Sequence, residues 1–242
     1  NRIQKVVGGD FSELMVGNVH RFCSKFLFEQ GRIPADSAII DDEEAVSIIA
    51  DYRNEDEEGV TRDFNRYKGY QTIIFFQHFI YQLEHHHPWK YYLHPESFTD
   101  GDREAIKHIC GSQKIDYNEQ AVVNIYRHAQ EYMDEANALG LDGKTADRIR
   151  VLLWKMYYAN CYARYKEENH LFDFEDLLLY TYDIYRSDPT CKRYPWIQVD
   201  EVQDLNGMQL AIIDLLTAED NPMVMYLGDE QQAIFSFMGA KV

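Results

Sequence analysis

Apolar residues recur at helical spacing through the middle of the chain and predict long amphipathic helices there. The pattern is clearest in three segments, at residues 64–84, 118–140 and 146–168. A shorter segment, residues 41–53, has the same spacing and is predicted to turn Ala45, Ile48 and Ile49 inward. The stretch from residue 60 to 170 is therefore interpreted as mainly helical, an insert between two parts of a different kind.

The N-terminal part combines a short apolar run with an amphipathic segment. Residues 14–19 are predicted to form a strand that feeds a helix, and Gly31 is predicted to end that helix. The helix carries Phe22, Phe26 and Leu27 at helical spacing, which is typical of a buried face.

The C-terminal part alternates helices and strands. Helices are predicted at residues 173–188 and 207–217. Short apolar strands are predicted at residues 196–199 and 222–227. Alternation of this kind is typical of a buried parallel sheet, so we expect an α/β fold class in a chain that is helix-rich overall.

Composition and charge narrow the function classes. The 242 residues carry a net charge of −17, and 45% of them are hydrophobic, enough for one large domain or two small ones. An acidic chain repels nucleic acid, but the acid is concentrated at residues 41–58 and 200–242, so a basic groove elsewhere is still permitted. The longest apolar run, residues 72–83, is too short to span a membrane, and four scattered cysteines predict a reduced, cytoplasmic protein.

Three adjacent histidines, His85, His86 and His87, suggest a metal site at first sight. Regular backbone cannot turn three adjacent side chains toward one ion. We therefore interpret the run as a solvated loop.

Two acidic residues, Asp200 and Glu201, directly follow the predicted strand at residues 196–199. In a parallel sheet this position is the carboxyl edge, where α/β folds place their ligands. Mg²⁺ binds few protein carboxylates and keeps several waters, so one acid can hold its water shell while the other activates a nucleophilic water. Taken alone, the pair is equally explained as an N-terminal helix cap.

Four segments resemble, in family order, conserved segments of the superfamily 1 helicases related to UvrD, Rep and PcrA. VDEVQDLNGMQLAII at 199–213 resembles motif II, and LGDEQQAIFSFMGA at 227–240 resembles motif III. HLFDFEDLLLYTYDIYRSDP at 170–189 is similar to the helix that precedes motif II, and VGNVHRFC at 16–23 is similar to a segment near the start of the family.

The resemblance implies part of a RecA-like P-loop NTPase motor domain, with its parallel sheet, that is interrupted by a large helical insert. The expected motor parts are residues 1–31 and 171–242, and the expected insert subdomain is residues 32–170. In relatives the phosphate loop precedes the segment at which this chain begins, so we interpret the chain as a fragment of the first motor domain.

The resemblance also implies roles for individual residues. Asp200 is expected to bind Mg²⁺ through water, and Glu201 is expected to activate the water that attacks ATP. Gln232 is expected to sense the γ-phosphate and, with Asp200 and Asp229, to line the nucleotide site. Five residues are expected to stack on single-stranded DNA or line its path: Asn18, His20, Phe174, Phe235 and Phe237.

Two features depart from the family pattern. Met238 stands where the family has an arginine that helps couple nucleotide state to DNA. A sequence of the phosphate-loop type, ALGLDGKT at 138–145, follows a polar helix-forming segment instead of the apolar strand that a phosphate loop needs, so we reject it as the nucleotide site.

The expected function is that of an ATP-dependent DNA helicase in the intact protein, with the fragment alone inactive. Its expected cofactors are ATP and Mg²⁺, its expected partners are single-stranded DNA and duplex junctions, and no membrane is involved. Two alternatives stay open: a helicase–nuclease subunit of the AddA or RecB kind, and a non-catalytic scaffold that kept the fold but lost coupling.

Overall fold

The computed structural model describes residues 14–138 and 143–229, and the structural statements that follow concern these residues. Most of them lie in helices, and the strands form small parallel sheets. None of the described helices combines the length and the hydropathy that crossing a bilayer requires.

The α-helices occupy most of the described chain. In order they are α1 Val19–Glu29, α2 Asp42–Tyr52, α3 Glu57–Arg62, α4 Phe64–Glu84, α5 Asp100–Gln113, α6 Glu119–Arg127, α7 Ala129–Ala138, α8 Lys144–Glu168, α9 Phe174–Ser187 and α10 Gly207–Leu216. Three short 3-10 turns lie at Trp89–Tyr91, Pro95–Ser97 and Val202–Asp204.

The strands form two parallel pairs. β1 (Ala38–Ile39) pairs with β2 (Leu171–Phe172), and β3 (Trp196–Val199) pairs with β4 (Met223–Tyr226). In the second pair Trp196 is opposite Met223, and Val199 is opposite Tyr226. The two apolar strands predicted in the C-terminal part are therefore confirmed, with β4 one residue shorter at each end.

Burial of this second sheet is not confirmed. Trp196 is 59% exposed and Met223 is 61% exposed, although both are large apolar side chains. Val199 alone among the eight strand residues is buried. Two strands offer two faces and two edges, and in this sheet Ile197 is only partly covered by the neighbouring apolar cluster.

Polar side chains at the helix starts explain where several helices begin. Asp41, Asp173 and Asn206 each accept hydrogen bonds from backbone N–H groups in the first turn, and each forms a capping box with the residue three positions on. Asn18 caps α1 in the same way, because its side chain accepts from the N–H of Arg21. The strand predicted at residues 14–19 is therefore wrong, since Asn18 serves as a helix cap and Val19 already belongs to α1.

The helix predicted at residues 118–140 is two helices. α6 ends at Arg127 and α7 begins at Ala129, with His128 between them at φ −113°. The His128 ring nitrogen Nδ1 lies 2.9 Å from the carbonyl oxygen of Asn124. The backbone N–H of His128 donates to the same carbonyl at 3.2 Å, so this oxygen has two partners where the two helices meet.

The buried apolar side chains fall into two clusters. The first core lies among α2, α4, α5, α6 and α8, with the long helices α4 and α8 packed against each other, and includes Ile49, Phe76, Phe79, Ile106, Ile125 and Leu152. The second core lies among α1, α9 and α10, and includes Cys23, Phe26, Leu27, Leu178, Leu179 and Ile212.

The second core extends beyond the predicted motor parts, because Ile33 and Leu93 also belong to it. Both residues lie within the range expected for the insert subdomain. The division into residues 1–31, 32–170 and 171–242 remains a prediction.

Candidate functional site

The carboxyl ends of β3 and β4 meet at one edge of their sheet. Asp200 and Glu201 follow β3, while Gly228 and Asp229 follow β4 after one residue. The Leu227 N–H donates to the Val199 carbonyl at 2.8 Å, and the Val202 N–H donates to the Leu227 carbonyl at 3.0 Å. These bonds hold the segments resembling motifs II and III side by side. They lie at the carboxyl edge of the sheet, which is where α/β folds bind their ligands.

The acidic pair sits on a sharply turned backbone. Glu201 has φ +52°, in the left-handed region that residues with a side chain seldom adopt. Its N–H donates to Asp200 Oδ1 at 3.0 Å, so one Asp200 oxygen is used and the other is available. Both acidic residues are exposed, which leaves their carboxylates accessible to an ion and to water.

Gln203 connects the two segments from a buried position. Its side chain is 4% exposed, and its Nε2 donates to Glu201 Oε2 at 2.5 Å. Its Oε1 accepts from the Asp229 N–H at 3.2 Å. The amide therefore orients the Glu201 carboxylate and fixes the start of the next segment at the same time.

Gly228 is required for this approach. A Cβ at position 228 would lie 2.5 Å from Gln203 Oε1 and 2.7 Å from Val202 Cγ1, closer than side-chain atoms approach one another. No role was predicted for Gln203 or Gly228, although both lie inside the segments that carry the resemblance. Their place inside these segments was the only sign of a role in the sequence. The contact between them joins residues 25 positions apart, and the pattern of apolar and polar residues does not predict such a contact.

Part of the predicted site lies outside the described residues. This applies to Gln232, Phe235, Phe237 and Met238. Asp200, Glu201 and Asp229 are described, and the structure brings these three to the same sheet edge.

Two residues of the predicted DNA path touch each other. The rings of His20 and Phe174 are edge-on, with centroids 5.8 Å apart. Phe174 is 42% exposed, so its ring is also open to solvent. Burial lowers the pKa of His20, partly opposed by the charge of Glu175. Asn18 lies two residues from His20, with its side-chain oxygen occupied by the helix cap.

A cluster of buried charged side chains holds the start of α9, at the cap residue Asp173 that precedes Phe174. Lys166 Nζ lies 2.7 Å from Asp173 Oδ2 and 2.5 Å from Asp176 Oδ2, and these side chains are 5 to 6% exposed. The Tyr162 hydroxyl donates to Asp173 Oδ2 at 2.8 Å, and His78 Nε2 lies 2.9 Å from the same oxygen. Helices α4 and α8 thus both hold the carboxylate that caps α9.

The two carboxylates of this cluster titrate in opposite directions. Burial raises the pKa of Asp173, but the nearby His78 and Lys166 outweigh it and hold that pKa well below its ordinary value. Burial and the negative charge of Asp173 raise the pKa of Asp176 to about 6, against the lowering effect of Lys166. Lys166 contacts both carboxylates, whereas His78 lies 2.9 Å from Asp173 and 3.7 Å from Asp176, so Asp173 is the more strongly stabilised anion.

The interpretation of residues 85–87 as a solvated loop is wrong for His87. The His87 side chain is fully buried, and its Nε2 lies 2.7 Å from Asp183 Oδ1. His85 is exposed but also contacts α9, with Nδ1 3.0 Å from Asp183 Oδ2. His86 is exposed as predicted. The histidines lie at a helix end packed on α9, which the composition of the run did not indicate.

The two ends of the rejected phosphate-loop sequence belong to helices, and residues 139–142 lie outside the described residues. α7 ends at Ala138, and Lys144 is the first residue of the 25-residue α8. Gly143 precedes it with φ +93°. A phosphate loop follows a strand, and the described residues upstream are helical, which agrees with the rejection.

Comparison with known proteins gives one family over the whole chain. Residues 1–242 match the family described as UvrD/REP helicase N-terminal domain. A probable DNA helicase II homolog of Mycoplasma capricolum is 24% identical over 145 residues, which are 58% of this chain and 19% of that protein. DNA helicase II of Escherichia coli is 36% identical over 94 residues, 37% of this chain and 13% of that protein.

A eukaryotic relative aligns along nearly the entire chain. The ATP-dependent DNA helicase SRS2 of Saccharomyces cerevisiae is 24% identical over an alignment 251 positions long, gaps included, which covers 99% of this chain and 18% of that protein. The chain spans less than a fifth of the length of each of these three relatives.

Proposed function

The chain belongs to the UvrD/REP helicase N-terminal domain family, and on this premise we propose that it is part of a motor that couples Mg-ATP hydrolysis to movement on single-stranded DNA and to duplex unwinding. The proposal rests on one observation above the others. The buried amide of Gln203 joins the Glu201 carboxylate to the backbone N–H of Asp229. Because this amide links the segments resembling motifs II and III, a change at one of them is transmitted to the other.

The acidic pair suits Mg²⁺ and water in different ways. Asp200 keeps one oxygen available after accepting the Glu201 N–H, as binding of an ion through its water shell requires. Glu201 is held by Gln203 in one orientation, as a base that accepts a proton from an attacking water requires. Bound Mg²⁺ would neutralise charge on the phosphates, and Asp229 and Gln232 are proposed to line the same nucleotide site.

The DNA path is proposed to run over Phe174 and His20. An exposed aromatic ring can stack on any base, which suits a motor that does not read sequence. Phe174 is the first residue of α9, and the cap residue before it, Asp173, is fixed by Lys166, His78 and Tyr162. Asn18, Phe235 and Phe237 are proposed to extend the same path.

The test is Glu201→Gln in the complete protein. Glutamine keeps the shape and can still accept from Gln203, but it cannot take a proton from water. We expect DNA-stimulated ATP hydrolysis to fall by about a hundredfold or more, while binding of Mg-ATP is retained.

The matched control is Glu219→Gln, an exposed acid in the turn before β4. It makes the same chemical change away from the sheet edge, so we expect unchanged hydrolysis. Hydrolysis at the wild-type rate in Glu201→Gln would remove Glu201 from the mechanism. A wild-type protein with no DNA-stimulated hydrolysis would favour the non-catalytic scaffold instead, and degradation of labelled DNA would favour the helicase–nuclease subunit.

A further inference from the structure

Two histidines and one aspartate converge where the C-terminal end of α4 meets the middle of α9. His85 and His87 contribute one ring nitrogen each, and Asp183 contributes its carboxylate. The three ligand-type atoms lie within 4.8 Å of one another. Residues 85 and 87 are 96 or more positions from Asp183 in sequence, so the cluster exists only in the folded chain.

The end of α4 aims both histidines the same way. The His87 N–H donates to the Gln82 carbonyl at 3.0 Å, and the His86 N–H donates to the Leu83 carbonyl at 3.2 Å. These two bonds, with His86 at φ +52°, form a Schellman motif at the helix C-terminus. The left-handed residue reverses the chain between His85 and His87, so both rings face α9 while His86 faces solvent.

Asp183 receives the histidines on separate oxygens. Oδ1 is 2.7 Å from His87 Nε2, and Oδ2 is 3.0 Å from His85 Nδ1. The Tyr81 hydroxyl also donates to Oδ2 at 2.9 Å and holds the carboxylate from a further side. Burial raises the pKa of Asp183, but the hydrogen bonds from the two histidines outweigh it, so this carboxylate is ionised at neutral pH.

We propose that His85, His87 and Asp183 form a binding site for a late transition-metal ion, with Zn²⁺ as the best match. Two imidazoles and one carboxylate are a ligand set that Zn²⁺ accepts, with a fourth position left for water. His87 is buried, whereas His85 is 43% exposed and Asp183 is 27% exposed by side chain, so the open position faces solvent.

The ligand atoms, which all lie within 4.8 Å of one another, must rearrange to form a tetrahedral site. Ligands about 2.0–2.1 Å from Zn²⁺ lie about 3.3 Å apart, so the two histidine–aspartate contacts would open by roughly half an ångström. On binding, the ring nitrogen of each histidine that faces the ion must be unprotonated, so each neutral imidazole would carry its one proton on the other ring nitrogen.

One neighbour opposes binding and limits the expected affinity. With a metal ion on Nε2, His87 carries its proton on Nδ1, which lies 3.4 Å from Gln82 Nε2. Gln82 cannot turn its oxygen toward this proton, because that oxygen accepts from the Leu93 N–H at 2.7 Å. We therefore expect binding in the micromolar range and not tighter.

The second cluster of metal-ligand type in the described part of the chain does not qualify. His78, Asp173 and Glu175 also lie together, but Lys166 Nζ is 2.7 Å from Asp173. A buried ammonium already supplies the positive charge there and would repel a metal ion. No lysine or arginine contact of this kind is found at Asp183 among its described hydrogen bonds.

The test is titration of the 242-residue chain with Zn²⁺ by calorimetry and with Co²⁺ by visible absorption. We expect one ion per chain at micromolar concentration, with the intense absorption bands of four-coordinate Co²⁺. Both His85→Asn and Asp183→Asn should weaken binding at least about tenfold, because each removes a ligand.

The matched control is His86→Asn, since Asn tolerates the left-handed backbone and His86 contributes no ligand. It should bind Zn²⁺ as the wild type does. Circular dichroism confirms that each variant is folded, and a rise in Tm with added Zn²⁺ should disappear in His85→Asn. No binding below about 100 μM, or binding that survives in both ligand variants, would overturn the proposal. Neither ATP nor DNA enters this test, so its outcome is independent of the helicase proposal.

Discussion

At the scale of single residues, Asp176 makes the folded chain sensitive to pH. Its pKa is raised from 3.8 to about 6 by burial and by the charge of Asp173. A carboxyl whose folded pKa is raised contributes stability at low pH, and loses that contribution as the pH rises through the folded pKa. The relevant window therefore runs from about pH 4 to about pH 6.

We expect Asp176→Asn to reveal this contribution. Asparagine cannot ionise, so the free energy of unfolding of the wild type should fall relative to that of the variant by about 1 kcal/mol between pH 5 and pH 7.5. Urea titrations at the two pH values measure it. Asp188→Asn is the control at the end of the same helix, because the pKa of Asp188 is lowered to about 2 and its titration lies below this range. A difference that is constant with pH for Asp176→Asn would contradict the assignment.

Gly228→Ala tests the contact between the two segments at the sheet edge. The added methyl group would lie 2.5 Å from Gln203 Oε1, so Gln203 or the backbone must move. We expect a loss of about 1–3 kcal/mol in the free energy of unfolding. Gly111→Ala is the control, since a Cβ there meets nothing within 4 Å and the position is helical. That change should stabilise the chain by up to about 1 kcal/mol, and equal effects at both positions would refute the steric argument.

The candidate site was partly accessible from sequence. Asp200, Glu201 and Phe174 stand at positions that local patterns mark, next to a strand end or a helix start. Gln203 and Lys166 act through contacts that only the folded chain creates. An amphipathic pattern places a lysine on the solvent side by default, so the burial of Lys166 could not be predicted.

At the scale of elements, the anchoring of α9 depends on one buried cation. Lys166→Met keeps a similar length but leaves Asp173 and Asp176 as two adjacent buried anions. We expect a loss of about 3–5 kcal/mol in the free energy of unfolding, measured by urea titration at pH 7.5. Lys25→Met is the control, because Lys25 is 53% exposed and pairs with Glu29 at 3.7 Å. That pair should contribute about 0–1 kcal/mol, and a comparable loss from both variants would show that Lys166 is not a special anchor.

The positions of the helices were predicted better than those of the strands, and better than the burial of the sheet. α4 has the predicted bounds because its apolar period is sustained over 21 residues and Asp63 caps it. β1 and β2 were not predicted, because two residues each are too few to show alternation. The bend at His85–His87 was missed because a left-handed helix end is usually marked by glycine, and here histidine occupies that position.

At the scale of the whole molecule, α9 connects the two cores. Its apolar residues, among them Leu178 and Leu179, belong to the second core, while its cap is held by side chains from α4 and α8 of the first. The predicted insert and the predicted motor part therefore share one helix as a common support. If α4 or α8 moved, the contacts of His78 and Lys166 with Asp173 would shift the start of α9, where Phe174 lies.

The exposed sheet of β3 and β4 also determines how the chain behaves in concentrated solution. In the described residues this sheet has two strands only, so each has one side without a partner strand, next to exposed Trp196 and Met223. Such an edge is a template for strands of other molecules, and apolar side chains around it favour aggregation. We expect turbidity and an intermolecular β-sheet band in infrared spectra to grow with protein concentration. Met223→Lys should suppress both signals, since a charged residue at the strand edge blocks pairing. Val151→Lys, at an exposed position of α8, is the control and should not suppress them. Equal suppression by both variants would show that net charge, and not the strand edge, controls aggregation.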